Sequence, residues 1–324
     1  PDFDPNLFSG GIDQKNWSRL LANPEHPLEN KAIQGLYAPG SIFKVVTAYA
    51  GLDKGVITPQ TKHVCNGYYF IKGLSDPFEC WKEGGHGKVS LIDAIKGSCN
   101  VYFYNTGLEA GVDAIHKYAN LFGLGKITGI GVQNEKAGLI PSSKWKKSTF
   151  KEPWYRGETP SAAIGQGYII TTPLQVLNMI NILANDGLLM PPSLFKDQQG
   201  LQPQQIPLKD EYLNLIREGM VAVVNAEGGT ARKVQFEEFT VAGKTATSQV
   251  ISHKTLETLD NETKASKIFQ NHAWFVAFGP AEDPEISVLA LVEHGGGGSK
   301  AAAPVVRKIL SYYIDNIYIP KTEQ

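Results

Sequence analysis

Cysteine is scarce in this chain: three of 324 residues, Cys65, Cys80 and Cys99, all between positions 65 and 99. An odd count cannot close completely into internal disulfides, so at least one sulfur has another role or none. A bias of charge is missing too. Lys and Arg number 31 against 32 Asp and Glu, a formal net charge of −1, with no long basic run. That leaves no electrostatic footprint for nucleic acid or an anionic membrane surface, and favours small or neutral partners. The longest apolar stretches, ISVLALV at Ile286 and the interrupted YIITTPLQVLNMINILA at Tyr168, fall short of the roughly 18 apolar residues of a membrane span. Initiator methionine and signal-peptide layout are both absent, so Pro1 reads as a fragment boundary. No internal repeat or low-complexity tract stands out. With 42% hydrophobic and 19% charged residues, the chain reads as soluble and globular, one large domain or two.

Residues 1 to 35 are turn-rich. The segment YAPGSIFKVVTAYAGL (Tyr37–Leu52) then predicts a helix opened by Pro39-Gly40-Ser41, apolar nearly all round and therefore central. Val56 to Gly87 reads as loop and short strands. VSLIDAIK predicts a short helix with Ser90 as N-cap, Asp93 three residues on and Gly97 as stop, and another helix starts near Val101. Ser98-Cys99-Asn100 therefore falls in a tight connection between helices. Thr172-Pro173-Leu174-Gln175 is a capping box with proline first, giving a helix that ends near Gly187. Late in the chain, FTVAGKTATSQV, AWFVAFG and EISVLALVEH read as strands, GGGGS at Gly295 as a tight loop, and APVVRKILSYYIDNIY as a closing helix. The order predicts an α+β fold with an antiparallel sheet.

Ser41 and Lys44 share a helix face at the entrance to this apolar run, where a charged ammonium is unfavourable. The S-x-x-K pattern alone is weak, since it recurs at Ser143, Ser148 and Ser193, in polar or proline-rich surroundings. Two later segments give it weight: Ser98-Cys-Asn100, then Lys244-Thr245-Ala246-Thr247 on a strand. This ordered set resembles the S-x-x-K, S-x-N and K-T-G motifs of penicillin-binding proteins and serine β-lactamases. DPNLF at Asp4, PLENKAIQGLYAPGSIFK, IGQG at Ile164, TTPLQ at Thr171, GGTA at Gly228 and GGGSKAAAP at Gly296 sharpen the match. Together they resemble class B penicillin-binding proteins of the elongation type (the penicillin-binding protein 2 family) over nearly the whole length. The fold implied is that of the penicillin-binding and serine β-lactamase transpeptidases, an antiparallel sheet packed between helices with an all-helical subdomain. Residues 1–324 would be one transpeptidase domain, with 56–240 a mainly helical and loop insertion.

The resemblance implies a serine D,D-transpeptidase that cross-links peptidoglycan stem peptides and is a target of β-lactams. Ser41 would attack the D-alanyl-D-alanine carbonyl, Lys44 would take its proton, Ser98 would relay it, and Asn100 would hold the substrate amide and orient Lys44. Lysine is a base only if its pKa falls well below about 10.4, and burial beside a second cation, Lys244, does that. Lys44 therefore needs Lys244 close by. Strand alternation puts Thr245 and Thr247 on one face, for the terminal carboxylate, and Lys244 and Ala246 on the other. The backbone N–H groups of Ser41 and Thr247 are the candidate oxyanion donors. Ala246 stands where the family usually has glycine, and its methyl should tighten the gap to the nucleophile's helix or shift the strand. Two strands usually precede the segment matching DPNLF, so they, a pedestal domain and a single membrane anchor are expected upstream. Partners implied are a SEDS-family glycosyltransferase and the scaffold protein of the rod complex, at the periplasmic face of a bacterial inner membrane.

Cys65, Cys80, His86 and Cys99 are spaced C-x14-C-x5-H-x12-C, which is not a zinc-finger spacing. Three thiolates and an imidazole suit a closed structural zinc site, and relatives can hold zinc in this same region with acidic, His and Cys residues. A disulfide with one spare thiol, or three buried thiols, are the alternatives. Asp76, Glu79 and Glu83 read as solvated; His63, His253, His272 and His294 read as surface or satisfied core residues. A class A β-lactamase would need an E-x-x-L-N segment, and Glu211-Tyr-Leu-Asn214 is one residue short. A D,D-carboxypeptidase and a non-catalytic, β-lactam-sensing or scaffold module remain as other readings.

Overall fold

Three strands late in the chain supply the platform on which the rest is assembled. The computed structural model describes residues 2–196, 198–250, 258 and 266–318. Among these, the helices in chain order are α1 (Gln14–Leu21), α2 (Lys44–Asp53), α3 (Leu91–Lys96), α4 (Asn100–Ala110), α5 (Val112–Leu121), α6 (Ser143–Phe150), α7 (Thr159–Ala163), α8 (Pro173–Ala184), α9 (Asp210–Asn225) and α10 (Gly298–Asn316). The strands are β1 (His63–Cys65), β2 (Tyr68–Tyr69), β3 (Phe78–Glu79), β4 (Gly87–Val89), β5 (Leu188–Leu189), β6 (Gln204–Gln205), β7 (Ala242–Ser248), β8 (His272–Gly279) and β9 (Ile286–Val292). The main sheet is antiparallel in the order β7-β8-β9. Helices α8, α9 and α10 pack on it, while α2, α4, α5 and α7 form a neighbouring helical layer. The α+β expectation holds.

Every residue of α2 from Lys44 to Leu52 is buried, as its all-round apolar sequence requires. Phe43 and Ile42, at the end of the preceding 3-10 turn Gly40–Phe43, are fully buried, each contributing about 1.5–3 kcal/mol of hydrophobic stabilisation. Both capping boxes form: Ser90 with Asp93 at α3, and Thr172 with Gln175 at α8. Buried Gln175 also donates to the carbonyls of Lys126 and Ala137, tying the loop before α6 to α8.

Several boundaries differ from those predicted. Ser41 lies in the 3-10 turn, and the α-helix proper starts only at Lys44. The GGGGS run is a loop only as far as Gly297, because Gly298 already begins α10. The polar stretch after Ser142 is the helix α6, N-capped by the Ser142 hydroxyl on Trp145 N–H, and the turn-rich start contains α1, capped by Asp13. Both are short, eight residues each, and mostly polar, which hides them.

The approach to Ser41 is anchored on both sides. Tyr37 exchanges two backbone hydrogen bonds with Thr171, of 2.9 and 2.8 Å, and its hydroxyl donates to Glu293 at 2.8 Å. Lys31 pairs with the same carboxylate, and the Ser248 hydroxyl donates to the Ala38 carbonyl. Gly40 (φ +54°) lies against β7: a Cβ there would stand 3.0 Å from the Thr247 carbonyl oxygen. Behind it, the carbonyl of Gly165 (φ +72°) accepts the Gly40 N–H at 3.0 Å, and a Cβ on Gly165 would stand 2.4 Å from the Gly40 carbonyl oxygen. A side chain fits neither the space nor the backbone there. Gly165→Ala should therefore cost about 1–3 kcal/mol, read as a lower urea midpoint with unchanged slope. An unaltered midpoint contradicts this packing.

Candidate active site

Four side chains from three distant parts of the chain meet in a buried space. Lys44 Nζ, fully buried on the first turn of α2, donates to Ser98 O at 2.8 Å, Ser98 Oγ at 3.2 Å and Asn100 Oδ1 at 2.7 Å. Lys244 Nζ, fully buried on β7, donates to the same Ser98 Oγ at 3.0 Å and to Thr245 O at 3.2 Å. The three motifs read from sequence thus converge on one hydroxyl. Ser41 joins them through its turn, since the adjacent Gly40 packs on Ala246, Thr247 and Ser248.

A water-poor space penalises the charged form of each amine, and a charge on Lys44 adds to the penalty at Lys244. Burial pushes the Lys44 amine down to about 8, with the three nearby cysteines pulling weakly the other way. Burial, and then Lys44, hold Lys244 well below the usual lysine range. The other S-x-x-K copies show the contrast. Lys146 is bound to Glu158 at 2.7 Å and to the Tyr168 hydroxyl at 2.8 Å, which push its pKa up, and the Ser143 hydroxyl is taken by Asp113. Ser148 is exposed and Ser193 half-buried, each bonded to a nearby backbone carbonyl. None of those pairs makes a base beside a free hydroxyl.

Ser98 adopts φ +54°, uncommon for a residue with a side chain, in the turn between α3 and α4. On β7, the Thr245 hydroxyl bonds the Thr230 hydroxyl at 2.8 Å, while Thr247 is exposed. Ala246 leaves the strand undisturbed: pairing with β8 runs unbroken from Ala242↔Phe278 to Ser248↔His272. Its methyl faces Gly40, where even an added Cβ would lie 3.4 Å away, so the space Gly40 leaves takes it up. Three residues given no role in the sequence reading line the site. Thr230 holds Thr245; Gln166 reaches the Thr247 carbonyl at 3.4 Å; Trp81 donates to Ser98 O at 2.9 Å. GGTA and IGQG flag the first two as motifs without roles; nothing flags Trp81.

Behind this turn lie Cys65, Cys80, His86 and Cys99, whose ligand atoms are all within 4.8 Å of one another and could hold a metal ion. His86 Nδ1 faces Cys80 Sγ at 3.4 Å and Cys65 Sγ at 3.6 Å, and its Nε2 meets the Gly97 carbonyl at 3.0 Å, which fixes the tautomer a metal ligand needs. The Asn100 N–H donates to Cys80 Sγ at 3.4 Å. A hydrogen bond from Cys99 holds the Cys80 thiol low; that same bond and burial push Cys99 up. All three cysteines are free, so the disulfide alternative is not realised. Asp76, Glu79 and Glu83 are exposed and outside the cluster, as expected. His272 and His294 pack edge-on, with ring centroids 4.8 Å apart and the His294 backbone N–H on His272 Nδ1. His63 departs from expectation: its buried Nε2 makes no hydrogen bond, and burial lowers its pKa. His253 lies outside the described residues.

A serine hydroxyl shared by two buried amines, at the edge of an antiparallel sheet, is an arrangement suited to acyl transfer with lysine as base. Comparison with known proteins narrows this. The family described as penicillin binding protein transpeptidase domain matches residues 1–311, and the chain belongs to it. Peptidoglycan D,D-transpeptidase MrdA of Haemophilus influenzae is 39% identical over an alignment of 335 residues, covering 100% of this chain and 51% of that protein. MrdA of Escherichia coli K12 is 35% identical over 323 residues, 96% of this chain and 51% of the relative, so the chain spans about half the length of these relatives. Among solved structures, Pseudomonas aeruginosa PBP2 in complex with WCK 5153 has a TM-score of 0.86 at 36% identity, covering 98% of this chain and 67% of that one. The complex of PBP2 with MreC from Helicobacter pylori has a TM-score of 0.87 at 34% identity, covering 98% and 57%.

The amine environment sets a sign for pH dependence. Unfolded lysines keep their proton to about pH 10.4, whereas folded Lys44 releases it near 8. Between these values the folded chain binds fewer protons, so its stability should rise with pH across that window. Urea midpoints between pH 7 and 10.5 should show this rise in the wild type and a smaller one in Lys44→Met. Identical slopes in both contradict the buried-amine assignment.

Proposed function

We propose that this chain is the catalytic part of a peptidoglycan D,D-transpeptidase, a reading carried by the two buried amines that converge on the Ser98 hydroxyl. Neutral Lys44 takes the Ser41 proton as Ser41 Oγ bonds to the carbonyl carbon of the penultimate D-alanine. The C–N bond to the terminal D-alanine then breaks, and the proton reaches its amine through Ser98. An amine of a neighbouring stem next attacks the ester, forming a new amide and returning the proton to Ser41. Asn100, held by Lys44 and by the Glu79 carbonyl through its Nδ2, is positioned to meet the substrate amide. Thr245 and Thr247 receive the terminal carboxylate, and the N–H groups of Ser41 and Thr247 receive the oxyanion, where one donor supplies about 2.7–4 kcal/mol. β-Lactams enter as acylating mimics of the donor.

Zinc is the ion we assign to Cys65, Cys80, His86 and Cys99, because three soft sulfurs and one imidazole leave no open position and fit a structural tetrahedral site. When bound it supplies rigidity behind Cys99, between Ser98 and Asn100. Residues 56–240 form the helical and loop insertion of the domain. We place the protein outside the cytoplasmic membrane, carried there by an anchor beyond this segment; no helix among the described residues is long and apolar enough to cross one. As in the Helicobacter pylori complex with MreC, a rod-complex scaffold protein is the partner we expect, along with a SEDS-family glycosyltransferase.

Fluorescent penicillin should label the wild type and not Ser41→Ala, and the adduct should persist. An unlabelled wild type removes the acyl-transfer reading, and rapid release of hydrolysed drug makes the protein a lactamase. The acylation rate should climb as pH rises through about 8, where Lys44 loses its proton. Purified protein should carry one zinc per chain, with the three thiols unreactive until a chelator removes it. Freely alkylated thiols in untreated protein contradict the metal assignment.

A further inference from the structure

Ser98 keeps its left-handed backbone only if something holds its peptide. Its carbonyl oxygen accepts two hydrogen bonds, from Lys44 Nζ at 2.8 Å and from the indole Nε1 of Trp81 at 2.9 Å. The same indole N–H lies 3.2 Å from the Gly97 carbonyl, which also meets His86 Nε2 at 3.0 Å. The Trp81 ring packs edge-on against His86, with centroids 5.5 Å apart. Yet the residue is 59% exposed, so most of this large apolar side chain is not invested in the core.

We infer that Trp81 is a positioning residue for the Ser98 hydroxyl, acting through the Ser98 and Gly97 carbonyls; this rests on the acyl-transfer reading above. The two donors on the Ser98 carbonyl differ in kind. Lys44 must change its protonation and its hydrogen bonds during each acylation, so it cannot hold the peptide constantly. An indole N–H donates only and does not titrate. Trp81 therefore keeps the turn in place while Lys44 exchanges its proton, so that Ser98 Oγ stays aimed at both amines. The role is distinct from that of the cysteine and histidine cluster, because of these residues only Trp81 donates to the Ser98 carbonyl, whereas His86 meets the Gly97 carbonyl.

Trp81→Phe removes the N–H together with the five-membered ring but leaves an aromatic side chain next to His86; Trp81→Ala removes the aromatic side chain altogether. Acylation by fluorescent penicillin, resolved into reversible affinity and first-order acylation rate, separates positioning from binding. Trp81→Phe should acylate about three- to tenfold more slowly, the effect of one neutral hydrogen bond, with affinity, bound metal and melting temperature unchanged. Trp81→Ala should be at least as slow. A Trp81→Phe protein that acylates at the wild-type rate overturns the inference, and so does slow acylation seen only with metal loss or a lower melting temperature. In both cases the wild type still acylates, which separates failure here from failure of the acyl-transfer reading.

Discussion

One hydroxyl carries two amines, and the rest of the site is built around that. Ser98 Oγ receives Lys44 from α2 and Lys244 from β7, both fully buried. Water would screen and solvate two ammonium groups; here neither help is available, so the pair is driven toward losing a proton. That is the state in which lysine acts as a base. The fold provides it by placing an apolar helix, a sheet edge and a helix-to-helix turn around one small volume, and no side chain outside those elements is needed to explain the direction of the shift.

Holding that volume together is a matter of close backbone contact. Gly40 and Gly165 lack side chains where the turn bearing Ser41 is pressed between β7 and the loop after α7, and the space beside Gly40 accommodates the Ala246 methyl. Tyr37, Lys31 and Glu293 tie the incoming segment to the end of β9. On the other side the cysteine and histidine cluster grips the turn that carries Ser98. Ser41 and Ser98 are thus anchored independently, by packing in one case and by polar donors in the other.

Much of this is legible in the sequence because motif and local physics agree. The capping boxes at Ser90 and Thr172, the all-round apolar α2 and the three late strands each arise from residue type and period alone. Motif order names Ser41, Lys44, Ser98, Asn100 and Lys244; hydrogen bonds join the last four, and Ser41 sits in the turn that leads into Lys44. The features that stay hidden depend on tertiary contact. Thr230 matters through a hydroxyl on another element, Trp81 through a carbonyl many residues away, and His63 through burial that leaves Nε2 unbonded. Helices α1 and α6 escape the sequence reading because they are short and mostly polar, and neither ends on glycine.

The central claim, that Lys44 and Lys244 act as one unit through Ser98, is tested most directly by a double-mutant cycle. Acylation rates would be measured for Lys44→Met, Lys244→Met and the double variant. Groups that work as a unit are grossly non-additive, so each single substitution should remove most of the rate and the double variant should be little slower than the slower single. Losses that simply multiply would show two independent lysines and contradict the account.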